Sequence, residues 1–143
     1  MTTSGSGATP SEPVESDSRA GPAPIVGIGA SAGGLESLQQ FLGAMPADSG
    51  AAFVVVQHLQ HGRKSVMSGI IADYTRMPVV EAADGVGVAA DTVYVMPADS
   101  LLSIQDGRLV LEAWTDGTAR RSPIDEFFES LAEDQGQIGR AHV

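Results

Sequence analysis

A serine within Gly29-Ala30-Ser31-Ala32-Gly33 and a histidine in Gln57-His58 are the residues of this chain best suited to chemistry. The pentapeptide has the form G-x-S-x-G, directly after the apolar run Ile25-Val26-Gly27-Ile28 and ahead of a helical pattern. In that setting a sharp strand-to-helix turn lifts a serine hydroxyl above the carboxyl end of a sheet. The flanking glycines let the chain reverse without a Cβ clash. Serine is a weak nucleophile at neutral pH and needs a base. His58 follows a second apolar run, Ala51-Ala52-Phe53-Val54-Val55-Val56. Parallel strands end on one edge of their sheet, where open α/β folds place their sites. Ser31 and His58 are therefore candidates for nucleophile and base, whereas no acid that would orient the base declares itself.

The same residues admit two other readings. Gly27-Ile28-Gly29-Ala30-Ser31-Ala32 also satisfies G-x-G-x-x-G/A, in which the helix N-terminus holds a pyrophosphate. That reading expects an acid at the end of the second strand, and Gln57 and His58 stand there instead. The third reading makes these glycines close-packing positions between helix and strand. His61-Gly62-Arg63-Lys64 puts positive charge near the site, either to meet an acidic protein substrate or as a solvated loop. Glu81, Asp84 and Asp99 are loop acids that either line the cleft or solvate turns, and Trp114 reads as a half-buried rim residue. No His, Asp and Glu grouping has metal-ligand spacing, and no cofactor is expected.

The elements that must position these residues follow from periodicity. Residues 1–24 are mostly Ser, Thr, Gly, Pro, Ala and acid, too poor in apolar surface to offset ordering entropy, and are expected to be a disordered lead. From Ile25 the pattern runs strand, turn, helix, strand. Leu35, Leu38, Phe41 and Leu42 recur at helical spacing up to Gly43–Pro46, and the continuous apolar run after them predicts a strand covered on both faces. Short connections then imply a parallel pair with a right-handed crossover, hence an α/β domain. A helix is predicted from Ser65 to Tyr74 and strands at Pro78–Glu81 and Val93–Met96. A hairpin is predicted through Asp106-Gly107, and a late helix capped by Ser122 with Pro123 at its first position.

With 143 residues the chain can bury one real core. A net charge of −10 argues against nucleic acid as partner. The absence of cysteine excludes disulfides and thiolate metal sites. No apolar stretch approaches a bilayer span and no signal-peptide layout opens the chain, so a cytoplasmic location is expected.

Three segments in order resemble the catalytic domain of the chemotaxis protein-glutamate methylesterases (CheB type): Ile25-Val26-Gly27-Ile28-Gly29-Ala30-Ser31-Ala32-Gly33-Gly34-Leu35, Val54-Val55-Val56-Gln57-His58 and Val93-Tyr94-Val95-Met96-Pro97. Pro123-Ile124-Asp125-Glu126-Phe127-Phe128-Glu129-Ser130-Leu131-Ala132 is similar to the family's late helix. The resemblance covers residues 25–137 and implies a doubly wound, Rossmann-like, three-layer domain with a mainly parallel sheet. It implies hydrolysis of methyl esters on chemoreceptor glutamates, and in many members deamidation of receptor glutamines. Ser31 would be the nucleophile and His58 the base and then acid, with backbone N–H groups near Ala32 and Gly33 helping to hold the oxyanion. Ala32 after the serine resembles the branch fused to receptor methyltransferases, a possible companion domain.

The resemblance also marks two departures. The family's orienting aspartate lies in a G-x-G-x-D-G segment after the late helix and a further strand, and no such segment occurs in this sequence. None of Asp73, Asp84, Asp91, Asp99, Asp106, Asp125 or Asp134 inherits its role. The 24 residues ahead of Ile25 are too few to fold a receiver domain, so none is expected in that stretch. The domain is thus expected to be incomplete at its C-terminus and the fragment inactive. Residues 138–143 are expected to be a non-native tail, since Ile-Gly-Arg-Ala-His-Val is one translation of the sequencing-adapter stretch ATC GGA AGA GCA CAC GTC. The alternatives of another class are a non-catalytic signalling or binding module and a dinucleotide-binding domain.

Overall fold

The structure, a computed structural model, describes residues 23–30, 34–57, 67–115, 122–136 and 140–142. Strand β1 (Ile25–Ala30) is followed by helix α1 (Leu35–Ala44) and strand β2 (Ala52–Gln57). Helix α2 (Met67–Ala72) leads to β3 (Val79–Glu81) and β4 (Val93–Val95). The hairpin β5 (Ser100–Gln105) and β6 (Arg108–Ala113), helix α3 (Pro123–Gln135) and β7 (Arg140–His142) complete the order.

Five strands form one sheet in the order β3-β4-β2-β1-β7, and every pairing in it is parallel. The continuous apolar run predicted to be covered on both faces is so: all six residues of β2 are buried. Alternation along the strands sends successive side chains to opposite layers. Phe53, Val55, Ile28, Val93 and Val95 pack with Leu38 and Leu42 of α1 and Ile71 of α2. Val54, Val56, Tyr94 and Met96 pack with Leu102, Ile104 and Leu109 of the hairpin and Phe127 and Leu131 of α3. The domain is therefore three-layered, with two helices on one face and a helix plus a hairpin on the other.

Local chemistry explains the ends of these elements. Asp106 and Gly107 take φ of 55° and 73°, the pair of left-handed conformations that a two-residue hairpin turn of the Asp-Gly kind requires. The Ser122 hydroxyl accepts from the Asp125 N–H at 3.3 Å, Pro123 occupies the first turn, and α3 stops at Gly136 with φ 65°. The helix predicted over Ser65–Tyr74 is described only as Met67–Ala72. Strand β4 ends one residue earlier than predicted, at Val95, although the Met96 N–H still donates to the Val55 carbonyl at 2.9 Å. The strand position due after the late helix is taken by the backbone of residues 140–142, which pairs with Gly27–Gly29 of β1.

Candidate active site

Strands β1, β2 and β4 end together at the carboxyl edge of the sheet. Ala30 and Gln57, the last residues of β1 and β2, are register partners, so the chain leaves two adjacent strands at the same level. From β1 the chain runs into α1 on one face and then to β2. β7 joins β1 on its other side, after α3 on the opposite face. Such a reversal of winding direction beside one strand is the topological switch point at which open α/β sheets form a crevice. Ser31, Ala32, Gly33 and His58, the predicted site residues, lie outside the described residues, as do His61, Arg63 and Lys64. What is described is the pair of strand ends they continue from.

The glycines of the motif have a structural reading. Gly27 and Gly29 are the third and fifth residues of a six-residue strand, paired with Val54 and Val56. In a dinucleotide fingerprint the first glycine makes the tight turn after the strand, whereas here the strand runs three residues past Gly27. A Cβ on Gly27 would meet Leu131 Cδ2 at 3.1 Å and Phe127 Cε2 and Phe128 Cε1 at 3.2 Å. The first glycine of the apparent fingerprint is thus where α3 lies on β1, as the close-packing reading has it.

The loop acids are spread around the sheet rather than grouped beside the ends of β1 and β2. Glu81 ends β3, which β4 and β2 separate from β1, about 14 Å away at the usual strand spacing. The Asp84 carboxylate accepts from the Leu111 N–H at 2.9 Å and so fastens the hairpin. Asp91 accepts from Gly50 N–H at 2.8 Å at the amino end of the sheet, and Asp134 accepts from the Asp106 and Gly107 amides at the hairpin turn. Asp73 and Asp125 are exposed, Asp125 in the first turn of α3. Asp99 adopts φ 57° after β4, its carbonyl accepting from the half-buried Trp114 at 3.0 Å. Each of these hydrogen bonds has a turn or layer contact to explain it. Among the described residues no group of three His, Asp or Glu side chains is placed to hold a metal ion, and no helix is long and apolar enough to cross a membrane.

One feature of the edge carries no role in the sequence reading. Gln57 is the one polar or charged residue buried among those described, 4% exposed, and its Nε2 donates to the Met96 carbonyl at 3.4 Å. The signal for it is an amide closing a six-residue strand that is otherwise Ala, Phe and Val.

Comparison with known proteins gives a consistent picture. The CheB methylesterase family model matches residues 26–140. A protein-glutamate methylesterase/protein-glutamine glutaminase 3 of Burkholderia orbicola is 38% identical over 120 residues, covering 79% of this chain and 35% of that protein. A protein-glutamate methylesterase/protein-glutamine glutaminase 2 of Cupriavidus metallidurans is 39% identical over 110 residues, covering 76% of this chain and 32% of that protein. The chain thus spans about a third of the length of these relatives. The crystal structure of the Thermotoga maritima CheB methylesterase catalytic domain superposes with a TM-score of 0.69 at 27% identity, covering 84% of this chain and 65% of that one.

Proposed function

This chain belongs to the CheB methylesterase family, and from that premise we propose that it carries the nucleophile and the base of a protein-glutamate methylesterase acting on methylated chemoreceptors. The observation that supports this most is the register pairing of Ala30 with Gln57, because two adjacent parallel strands then end at one level and Ser31 and His58 are the residues that follow them in sequence. Ser31 Oγ attacks the glutamyl ester carbonyl while its proton passes to His58. The tetrahedral intermediate collapses to an acyl-serine, and His58 returns the proton to the departing methanol. Water then attacks the acyl-serine, giving its proton to His58, and the glutamate carboxyl leaves as Ser31 is restored. With a glutamine side chain the same sequence releases ammonia, which is deamidation. N–H groups at Ala32 and Gly33 receive the oxyanion. The cytoplasm, where receptor signalling domains lie, is the proposed location, and a receptor methyltransferase domain the proposed companion.

The orienting aspartate is the third part of such a site, and its G-x-G-x-D-G segment is not among these 143 residues. Loss of that group in a serine triad lowers the rate by about 10⁴. A polypeptide limited to this chain is therefore expected to be close to inactive, and the test belongs on the protein expressed from its own gene. Labelling with a fluorophosphonate should modify Ser31 once per chain. Ser31→Ala should abolish labelling and His58→Ala should slow it by about 10²–10⁴, the usual contribution of a general base. Saturable binding of a nicotinamide dinucleotide with no label on Ser31 would favour the dinucleotide reading instead.

A further inference from the structure

We propose that Gln57 is a positioning residue for His58, fastening the carboxyl end of β2 to the residue after β4 so that the backbone from which His58 departs is held fixed. This rests on the reading of Ser31 and His58 as an acyl-transfer pair. Pairing between β2 and β4 stops at Val55 and Val95. Beyond that point Met96 is bound to β2 at both its polar groups. Its N–H donates to the Val55 carbonyl at 2.9 Å, and its carbonyl accepts from Gln57 Nε2 at 3.4 Å. The side chain thereby extends the attachment of the two strands to the last residue before His58.

Burial makes this attachment consequential. Gln57 is 4% exposed and Met96 2% exposed, so water is largely excluded from the bond between them. By alternation the Gln57 side chain lies on the same face as Phe53 and Val55, which pack against α1 and α2. An amide in that apolar layer carries a desolvation penalty unless its groups are partnered. An apolar side chain there would avoid the penalty and leave the strand end attached through its backbone alone. The length of the Gln57 bond makes it a weak contributor to overall stability, so its effect is expected in geometry. A base misplaced by about 1 Å can lose 10²-fold in rate.

The experiment compares wild type with Gln57→Met, which keeps length and volume and removes the amide. Fluorophosphonate labelling of the protein expressed from its own gene is followed to its endpoint, giving a stoichiometry and a rate constant per labelled site. The expected result is full stoichiometry, an unchanged melting temperature and a rate constant lower by about 10- to 100-fold. A wild-type rate constant in Gln57→Met overturns the proposal. So does a reduced endpoint with an unchanged rate constant, which is the signature of a merely structural residue. If Gln57→Met does not fold, Gln57→Asn makes the same comparison, since it keeps the amide one methylene short of Met96. Absence of any label on Ser31 in the wild type refutes the acyl-transfer reading, and this inference with it.

Discussion

Gly27→Ala separates the packing role of the motif glycine from a ligand-binding one. The added Cβ would stand 3.1 Å from Leu131 Cδ2, 3.2 Å from Phe127 Cε2 and 3.2 Å from Phe128 Cε1. Carbon atoms pack best at about 3.5–4.0 Å, so each neighbour must retreat by about 0.3 Å or more. Phe127 and Leu131 are 0% and 1% exposed, with no solvent side to move toward. Overpacking of this kind costs about 1–3 kcal/mol. Against it, replacing a strand glycine recovers about 0.5–1 kcal/mol of backbone entropy. The net is a loss of about 1 kcal/mol, or about 0.5 M in urea midpoint for a slope near 2 kcal/mol/M. Gly69→Ala, in α2 with nothing within 4 Å of the added atom, is the control and should gain about 0.5–1 kcal/mol. In a Leu131→Ala background the Gly27 penalty should shrink, because the two sites share one volume. A urea midpoint for Gly27→Ala that rises as much as that of Gly69→Ala would refute the packing account. Phosphate cradling predicts a different pattern, with ligand binding lost and the midpoint unchanged.

Two further outcomes follow from the geometry. Asp134→Ala removes the acceptors of the Asp106 and Gly107 turn amides; because Asp134 and Gly107 are half-buried and Asp106 is exposed, a loss of about 1 kcal/mol is expected by urea titration, and Asp134→Asn, which keeps one acceptor, should lose less. If His58 is the base proposed for Ser31, the phosphonate labelling rate should fall as the solution is made acidic enough to protonate imidazole, and a rate that does not change with pH would exclude histidine as the base.

The elements legible in the sequence are those whose signal is local. Asp106-Gly107 fixes a hairpin because two consecutive left-handed residues are needed and few other pairs supply them. Ser122-Pro123 fixes a helix start because a hydroxyl acceptor and a missing N–H both suit the first turn. The continuous apolar run of β2 announced burial on both faces. Sequence alone left the meaning of Gly27 open, because helix-on-strand packing and phosphate approach both demand a missing Cβ. Only the position of α3, nearly 100 residues further on, distinguishes them. The destinations of the acids were equally hidden: Asp84 and Asp134 bond backbone amides 27 and 28 residues away in sequence, contacts that no spacing rule reveals.

The site also depends on something an apolar strand does not supply by itself. A strand with one solvent face has its register set by alternation, since a slip of one residue would turn its apolar side outward. β2 is buried at all six positions, so that penalty is missing. Two of its side chains differ enough to replace it. Phe53 meets Phe41 of α1 edge-on, with ring centroids 6.2 Å apart. Gln57 has its Nε2 on the Met96 carbonyl. A one-residue slip would carry the Phe53 ring to the face filled by the hairpin and α3, and would turn the Gln57 amide into an apolar layer away from its partner. The aromatic contact and the amide lie on the same face, four residues apart, so they select the same register. That register pairs Ala30 with Gln57. The two strands whose next residues in sequence are the proposed serine and histidine therefore end at one level, and a slip of β2 against β1 would separate those two ends.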